Sequence, residues 1–245
     1  MIPLNESSNL KLVIKDIENK TSNFNKGCVV LLDGDRTLCE PDTSRMFNKI
    51  ANINFSEIKD GFVKHGYTYP GFKNMAEIYS RLDILDYKRY SKKTAKNIEL
   101  YPGVLEFIKC ASEFADICIV TSGVKKIWEN ILNNNNLENV LLLGGTHNNV
   151  DDYIIGRYEK GQITEFFTRG GQILVAFGDS DVDSLMLKKA DHAVIVVNHR
   201  NNADLLSHLD SHSSLYQISF KNYHHANIRI TDFKKISNII MDLLT

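Results

Sequence analysis

Short, unbroken apolar runs recur along the chain: "CVVLL" (28–32), "ICIV" (117–120), "VLLL" (140–143), "ILVAF" (173–177) and "AVIVV" (193–197). None alternates apolar with polar, and each is four or five residues long. That is the pattern of strands covered on both faces. Between them the spacing becomes helical. "YPGVLEFIKCASEF" (101–114) places Pro102 where a helix can begin and sets Val104, Leu105, Ile108 and Phe114 along one side. "VKKIWENILNN" (124–134) follows the second run, and "DSLMLKKA" (183–190) the fourth. Alternation of this kind predicts an α/β fold: a Rossmann-like parallel sheet with helices on both faces.

One interval breaks the rhythm. About sixty residues separate the first run from the helix at 101, too many for a single crossover. They read as helical in four stretches: "SRMFNKIANI", "SEIKDGFVKH", "FKNMAEIYSRLDIL" and "DYKRYSKKTAKN". A helical insert directly after the first strand is placed to act as a lid. A further helix is expected around Leu10 to Ile17, and another at "DFKKISNIIMDLL" near the end. No internal repeat is visible.

Bulk composition changes this picture little. The 245 residues are 43% hydrophobic and 24% charged, an ordinary globular balance. The formal net charge of −1 gives no global field for nucleic acid or an anionic membrane. The apolar runs are too short to cross a bilayer. No basic segment leads into an apolar one at the N-terminus, so no signal peptide is expected. Cys28, Cys39, Cys110 and Cys118 lack metal-ligand spacing and read as reduced thiols of a cytoplasmic protein. The eight histidines show no metal spacing either, and His65 and His147 are expected at the surface.

The chemistry collects at strand ends. The first strand runs into Asp33 and Asp35, the second into Thr121, Ser122 and Gly123, and the fourth into Gly178 and Asp179, with Asp183 one helical turn on. In an open parallel sheet, ligands bind outside these carboxyl ends. Gathered there without a partner, the carboxylates would raise one another's pKa. A hard cation resolves the conflict, and oxygen-only ligation with few carboxylates suits Mg²⁺ shared with a phosphate.

The motifs resemble those of the haloacid dehalogenase superfamily. "LLDGDRT" resembles its first motif, "CIVTSG" its second, Lys160 in "YEKGQITEFF" its third and "GDSDVD" its fourth. The likeness covers roughly residues 26 to 200. The position of the insert and "DDYIIGRYEKGQITEFF" are most similar to the phosphoserine phosphatase branch. The resemblance implies an N-terminal extension (1–26), a core domain (27–40 and 99–245) and a helical cap (41–98). It also implies a Mg²⁺-dependent phosphatase of small phosphorylated metabolites. Asp33 would be the nucleophile and Asp35 the general acid and base. Thr121, Ser122, Gly123 and Lys160 would bind phosphate. Asp33, Asp35 and Asp179 would hold the metal, with Asp183 behind them. Asp42 and Arg81 would stand where that branch grips its substrate. Lys125 and Lys126 compete with Lys160 on composition alone, and spacing to Asp179 favours Lys160.

Gly34 and Arg36 depart from the family's usual residues; Val182, Asp42 and Arg36 weigh against phosphoserine itself, so that another small phosphorylated metabolite, such as an amino alcohol, sugar or nucleotide phosphate, is an equal expectation. The resemblance implies an aspartyl-phosphate intermediate on Asp33; a phosphotransferase or mutase built on that intermediate, and a phosphate-binding regulatory module without turnover, remain alternatives. An oxidoreductase is disfavoured, because no G-x-G-x-x-G follows the first strand.

Overall fold

The computed structural model describes residues 1–197, 202–220 and 223–244. Its centre is a parallel sheet of seven strands in the order β3-β2-β1-β4-β5-β6-β7. The five expected runs become β1 (Cys28–Leu32), β2 (Asp116–Val120), β3 (Leu141–Leu143), β4 (Ile173–Gly178) and β5 (His192–Val197). Two strands not anticipated, β6 (Leu215–Ser219) and β7 (Arg229–Thr231), extend the β5 edge.

β1 explains the sandwich best. All five of its side chains are buried, and successive ones point to opposite faces. Val30 and Leu32 enter an apolar layer with Phe107 of α6 (Val104–Ala111), Ile127 of α7 (Lys125–Asn134) and Ile236 of α11 (Phe233–Asp242). Val29 and Leu31 enter the opposite layer. There they meet Val13 of α1 (Glu6–Lys20), Phe167 of α8 (Arg157–Arg169) and Leu187 of α9 (Ser184–Lys189). Burying a side chain of this size contributes about 1.5–3 kcal/mol, so neither face of β1 tolerates a charge.

The insert after β1 is helical, as the spacing indicates: α2 (Thr43–Ile50), α3 (Phe55–His65), α4 (Tyr69–Tyr79) and α5 (Ile84–Ala95). Asp42, Asn54 and Asp83 cap α2, α3 and α5, each accepting a main-chain N–H through its side chain. The stretch "FKNMAEIYSRLDIL" is not one helix. It breaks at Ser80–Leu82, and Arg81 lies in the break. The insert is fastened to the loop after β3. Tyr87 and Thr146 hydroxyls lie 2.9 Å apart, and the Asn148 N–H donates to Ser80 Oγ at 2.7 Å. His147 takes part in this join. It is fully buried and packed on Tyr87 at 4.5 Å between ring centroids, which corrects the surface position expected for it.

The N-terminal helix is also built in. Asn9, fully buried, donates to the Ile154 carbonyl and to Glu159 Oε1, each at 3.0 Å, and accepts from Ile154 N–H. Glu159 Oε2 accepts the Gly156 N–H. The first turn of α8 is thereby clamped from both sides. The four cysteines are free thiols, with only Cys110 exposed. Among the described residues no helix is long and apolar enough to cross a membrane.

Candidate active site

The strand order puts a switch point between β1 and β4. The chain leaves β1 toward β2 on one side and leaves β4 toward β5 on the other. The gap above their carboxyl ends is where such sheets bind ligands. Asp33 follows β1 and donates its N–H to the Phe177 carbonyl of β4 at 3.0 Å. Asp179 follows β4 directly. Thr121 follows β2 and donates its N–H to the Leu143 carbonyl. Residues distant in sequence thus line one cavity: Asp33, Asp35, Thr121, Ser122, Gly123, Lys160 and Asp179.

Lys160 links them. α8 delivers its fully buried ammonium to Asp33 Oδ1 at 2.5 Å and to Asp183 Oδ1 at 2.6 Å. Burial alone would lower the pKa of this ammonium, but Asp183 and Asp33 outweigh burial and raise it, so it stays charged. The other oxygen of Asp183 accepts N–H groups of Asp179 and Ser180, each at 3.1 Å, which fixes the loop after β4. Asp183 therefore serves Lys160 and the loop, while Asp33 and Asp179 face the cavity. Lys125, the competing lysine, lies over the Tyr153 ring instead.

Asp33 accepts the Thr37 hydroxyl through Oδ2 at 2.9 Å. Burial and the neighbouring Asp183 raise its pKa to about 6, against the pull of Lys160 and Thr37. Asp35 is raised further, to about 7, first by burial and then by Asp42. Its Oδ1 accepts the Thr43 hydroxyl at 2.7 Å and the Trp128 indole N–H at 3.0 Å, and its Oδ2 accepts the Thr43 N–H at 2.9 Å. A carboxyl poised near neutrality and fixed on three sides is suited to proton transfer.

The departures in the first motif have structural causes. A Cβ at Gly34 would lie 2.5 Å from the Trp128 ring, so the indole occupies the space where a side chain would sit. Trp128 is the single tryptophan of the chain and 1% exposed. Sequence reading assigned it only to a helix; the unusual glycine was the available signal. Gly34→Val is expected to destabilise the protein by about 1–3 kcal/mol through overpacking. Trp128→Ala added to it should recover part of that loss, which thermal melts of both single variants and the double variant will measure. Arg36 adopts a left-handed backbone with φ 63. Its Nε lies 3.2 Å from Asp179 Oδ2. Burial and the adjacent Asp33 and Asp183 raise Asp179, and Arg36 opposes them.

The donor set fits a divalent metal. One carboxylate oxygen from each of Asp33, Asp179 and Asp183 lies within 4.8 Å of the others, and all three residues are buried. Oxygen donors alone suit a hard cation. Asp42 lines the cavity, capping α2 through Oδ1 and pairing with Arg45 Nε at 3.4 Å. Arg81 does not line it. It is 63% exposed and bonded in a fork to Glu57 at 2.9 and 2.6 Å. Asp181 pairs with Arg157 at 2.7 Å, away from the cavity.

No family model matches the chain, and no curated protein matches it. Solved structures do. A substrate-bound phosphoserine phosphatase complex aligns over 86% of this chain and 97% of its own, with TM-score 0.58 and 18% identity. A phosphoserine phosphatase described as a phospho-aspartyl intermediate analogue aligns over 74% and 97%, with TM-score 0.52 and 18% identity. A haloacid dehalogenase family hydrolase from Salmonella enterica serovar Typhi aligns over 88% and 79%, with TM-score 0.58 and 11% identity. The chain has the fold shared by phosphoserine phosphatases and haloacid dehalogenase-type hydrolases.

Proposed function

We propose that the protein is a metal-dependent phosphatase that hydrolyses a small phosphomonoester through an aspartyl-phosphate on Asp33. The observation that carries this reading is the pairing of two differently held carboxyls. Asp33 is bound to Lys160 and Thr37, and Asp35, raised to about 7, is bound to Thr43 and Trp128. One is fixed as a nucleophile and the other retains a proton to give.

In the first half-reaction an Asp33 oxygen attacks phosphorus, and the phosphorus–oxygen bond to the leaving group breaks. Asp35 gives its proton to the departing alkoxide. In the second, Asp35 takes a proton from water, whose oxygen attacks the same phosphorus. Inorganic phosphate leaves, and Asp33 is free again. The same residue is acid and then base because its protonation state alternates. The Lys160 ammonium and the N–H groups after β2 would hold the phosphoryl oxygens, with the Thr121 and Ser122 hydroxyls beside them. Asp33 and Asp179, with the main-chain carbonyl of Asp35, would hold Mg²⁺, which supplies charge neutralisation for the phosphoryl group. Helices α2 to α5 act as a cap that excludes water and selects the leaving group.

Hydrolysis of p-nitrophenyl phosphate in the presence of Mg²⁺ tests the reading. Turnover is expected, with loss of at least about 100-fold on chelation by EDTA and recovery on Mg²⁺ addition. Absence of turnover with this ester and with a wide panel of phosphorylated metabolites would overturn it.

A further inference from the structure

The walls of the cavity differ from its floor. The floor is ionic and the α2 side carries Ser44 and Asn48, whereas the opposite side is Ile58 and Phe62 of α3, Tyr67 of the following turn, and Phe72 and Met75 of α4, with Val182 from the core. Phe62 meets Phe72 edge-on, with centroids 5.1 Å apart and planes at 74°, and lies 5.1 Å from Tyr67. These rings form an aromatic corner facing the catalytic carboxyls. A second hollow, lined by Phe55, Phe62, Val63 and Tyr67 with Arg45 and Lys59, continues the apolar surface outward. Val63 on this outer rim is 77% exposed and Tyr67 47% exposed, so the apolar track reaches solvent.

The charged groups along this track are already matched. Arg45 pairs with Asp42 and places its guanidinium 5.2 Å from the centre of the Phe55 ring. Arg81 is held by Glu57 outside the cavity. An amino acid or amino alcohol would have to compete with Arg45 for Asp42, and then bury polar atoms against phenyl rings. A flat apolar group needs neither.

We infer that the site takes phosphomonoesters whose leaving group is flat and apolar, aromatic above all, in preference to zwitterionic or amino-alcohol esters. For turnover the inference rests on the phosphatase reading; for binding it does not. Stacking and edge-on contact with Phe62, Tyr67 and Phe72 supply the selectivity.

The test compares benzyl phosphate with O-phosphoserine and phosphoethanolamine, all of which release a primary alkoxide, so that intrinsic leaving-group reactivity is similar. With Mg²⁺ present, kcat/KM is expected to favour benzyl phosphate by about 30-fold or more. Calorimetry should show benzylphosphonate binding at least about 10-fold tighter than 2-aminoethylphosphonate. Phe62→Ser should shrink both preferences by about 10-fold. Tyr67→Ser, on the exposed rim and safe for folding, should shrink them by about 3-fold. Equal or better binding and hydrolysis of the amino compounds would overturn the inference and leave the phosphatase reading intact. Selective benzylphosphonate binding with no ester hydrolysed would do the reverse.

Discussion

Replacing Asp33 by asparagine is expected to lower turnover of every phosphate ester by at least about 10³-fold, because the residue proposed to form the bond to phosphorus is lost. The protein should remain folded. Asparagine has the same shape, its carbonyl oxygen can still accept from Lys160 while its NH2 donates to the Thr37 hydroxyl, and it removes a buried charge that faces Asp183. Its melting temperature is expected to match or exceed that of the wild type. A radiolabelled phosphate ester should mark the wild type with an acyl phosphate that hydroxylamine releases, and should leave the variant unmarked. Residual turnover above about a tenth of wild type would place the nucleophile elsewhere.

Lys160→Met is expected to remove both function and stability, and the two losses should separate. The ammonium is the shared partner of Asp33 and Asp183, fully enclosed with them. Taking it away leaves two carboxylates facing each other out of water, at a cost of about 3–5 kcal/mol. For a chain of this size that is a fall in melting temperature of about 6–20 °C. The loss depends on pH. Without the cation, burial and the neighbouring Asp183 push the folded-state pKa of Asp33 further above its unfolded value, since the opposing pull of Lys160 is gone. The folded form then binds that proton more tightly than the unfolded form, so stability rises as pH falls through the raised value. The deficit should be largest near pH 8 and shrink toward pH 5. Adding Asp183→Asn should restore part of the melting temperature at pH 8 and none of the activity. Recovery of turnover in the double variant would show that Lys160 serves only to neutralise Asp183.

Different parts of this architecture left different traces in the sequence. β1, β2, β4 and β5 were legible because strands buried on both faces must be apolar throughout. β6 and β7, "LYQIS" and "RIT", were not. They lie toward the sheet edge, where Gln217 is bonded to the 225–228 loop and Arg229 and Ile230 are exposed, so no apolar run announces them. The convergence of Asp33, Asp35 and Asp179 on one cavity was legible because paired carboxylates at strand ends have few structural uses. Trp128 and the aromatic walls were hidden for the opposite reason. On an amphipathic helix, a ring that fills a core and a ring that lines a cavity occupy the same positions. Arg81 had no distinguishing sign, since a partner 24 residues away decides where its side chain goes.

The clamp made by Asn9 bears on when the site comes into being. Its partners, Ile154 and Glu159, are 145 and 150 residues downstream. During synthesis the first helix emerges early and then waits for most of the protein to appear. Lys160 is seated on that clamped turn, and its second carboxylate, Asp183, is made later still. The nascent polypeptide would therefore expose strands and helices long before it acquires a reactive centre, and competence would arrive in one late step of long-range closure.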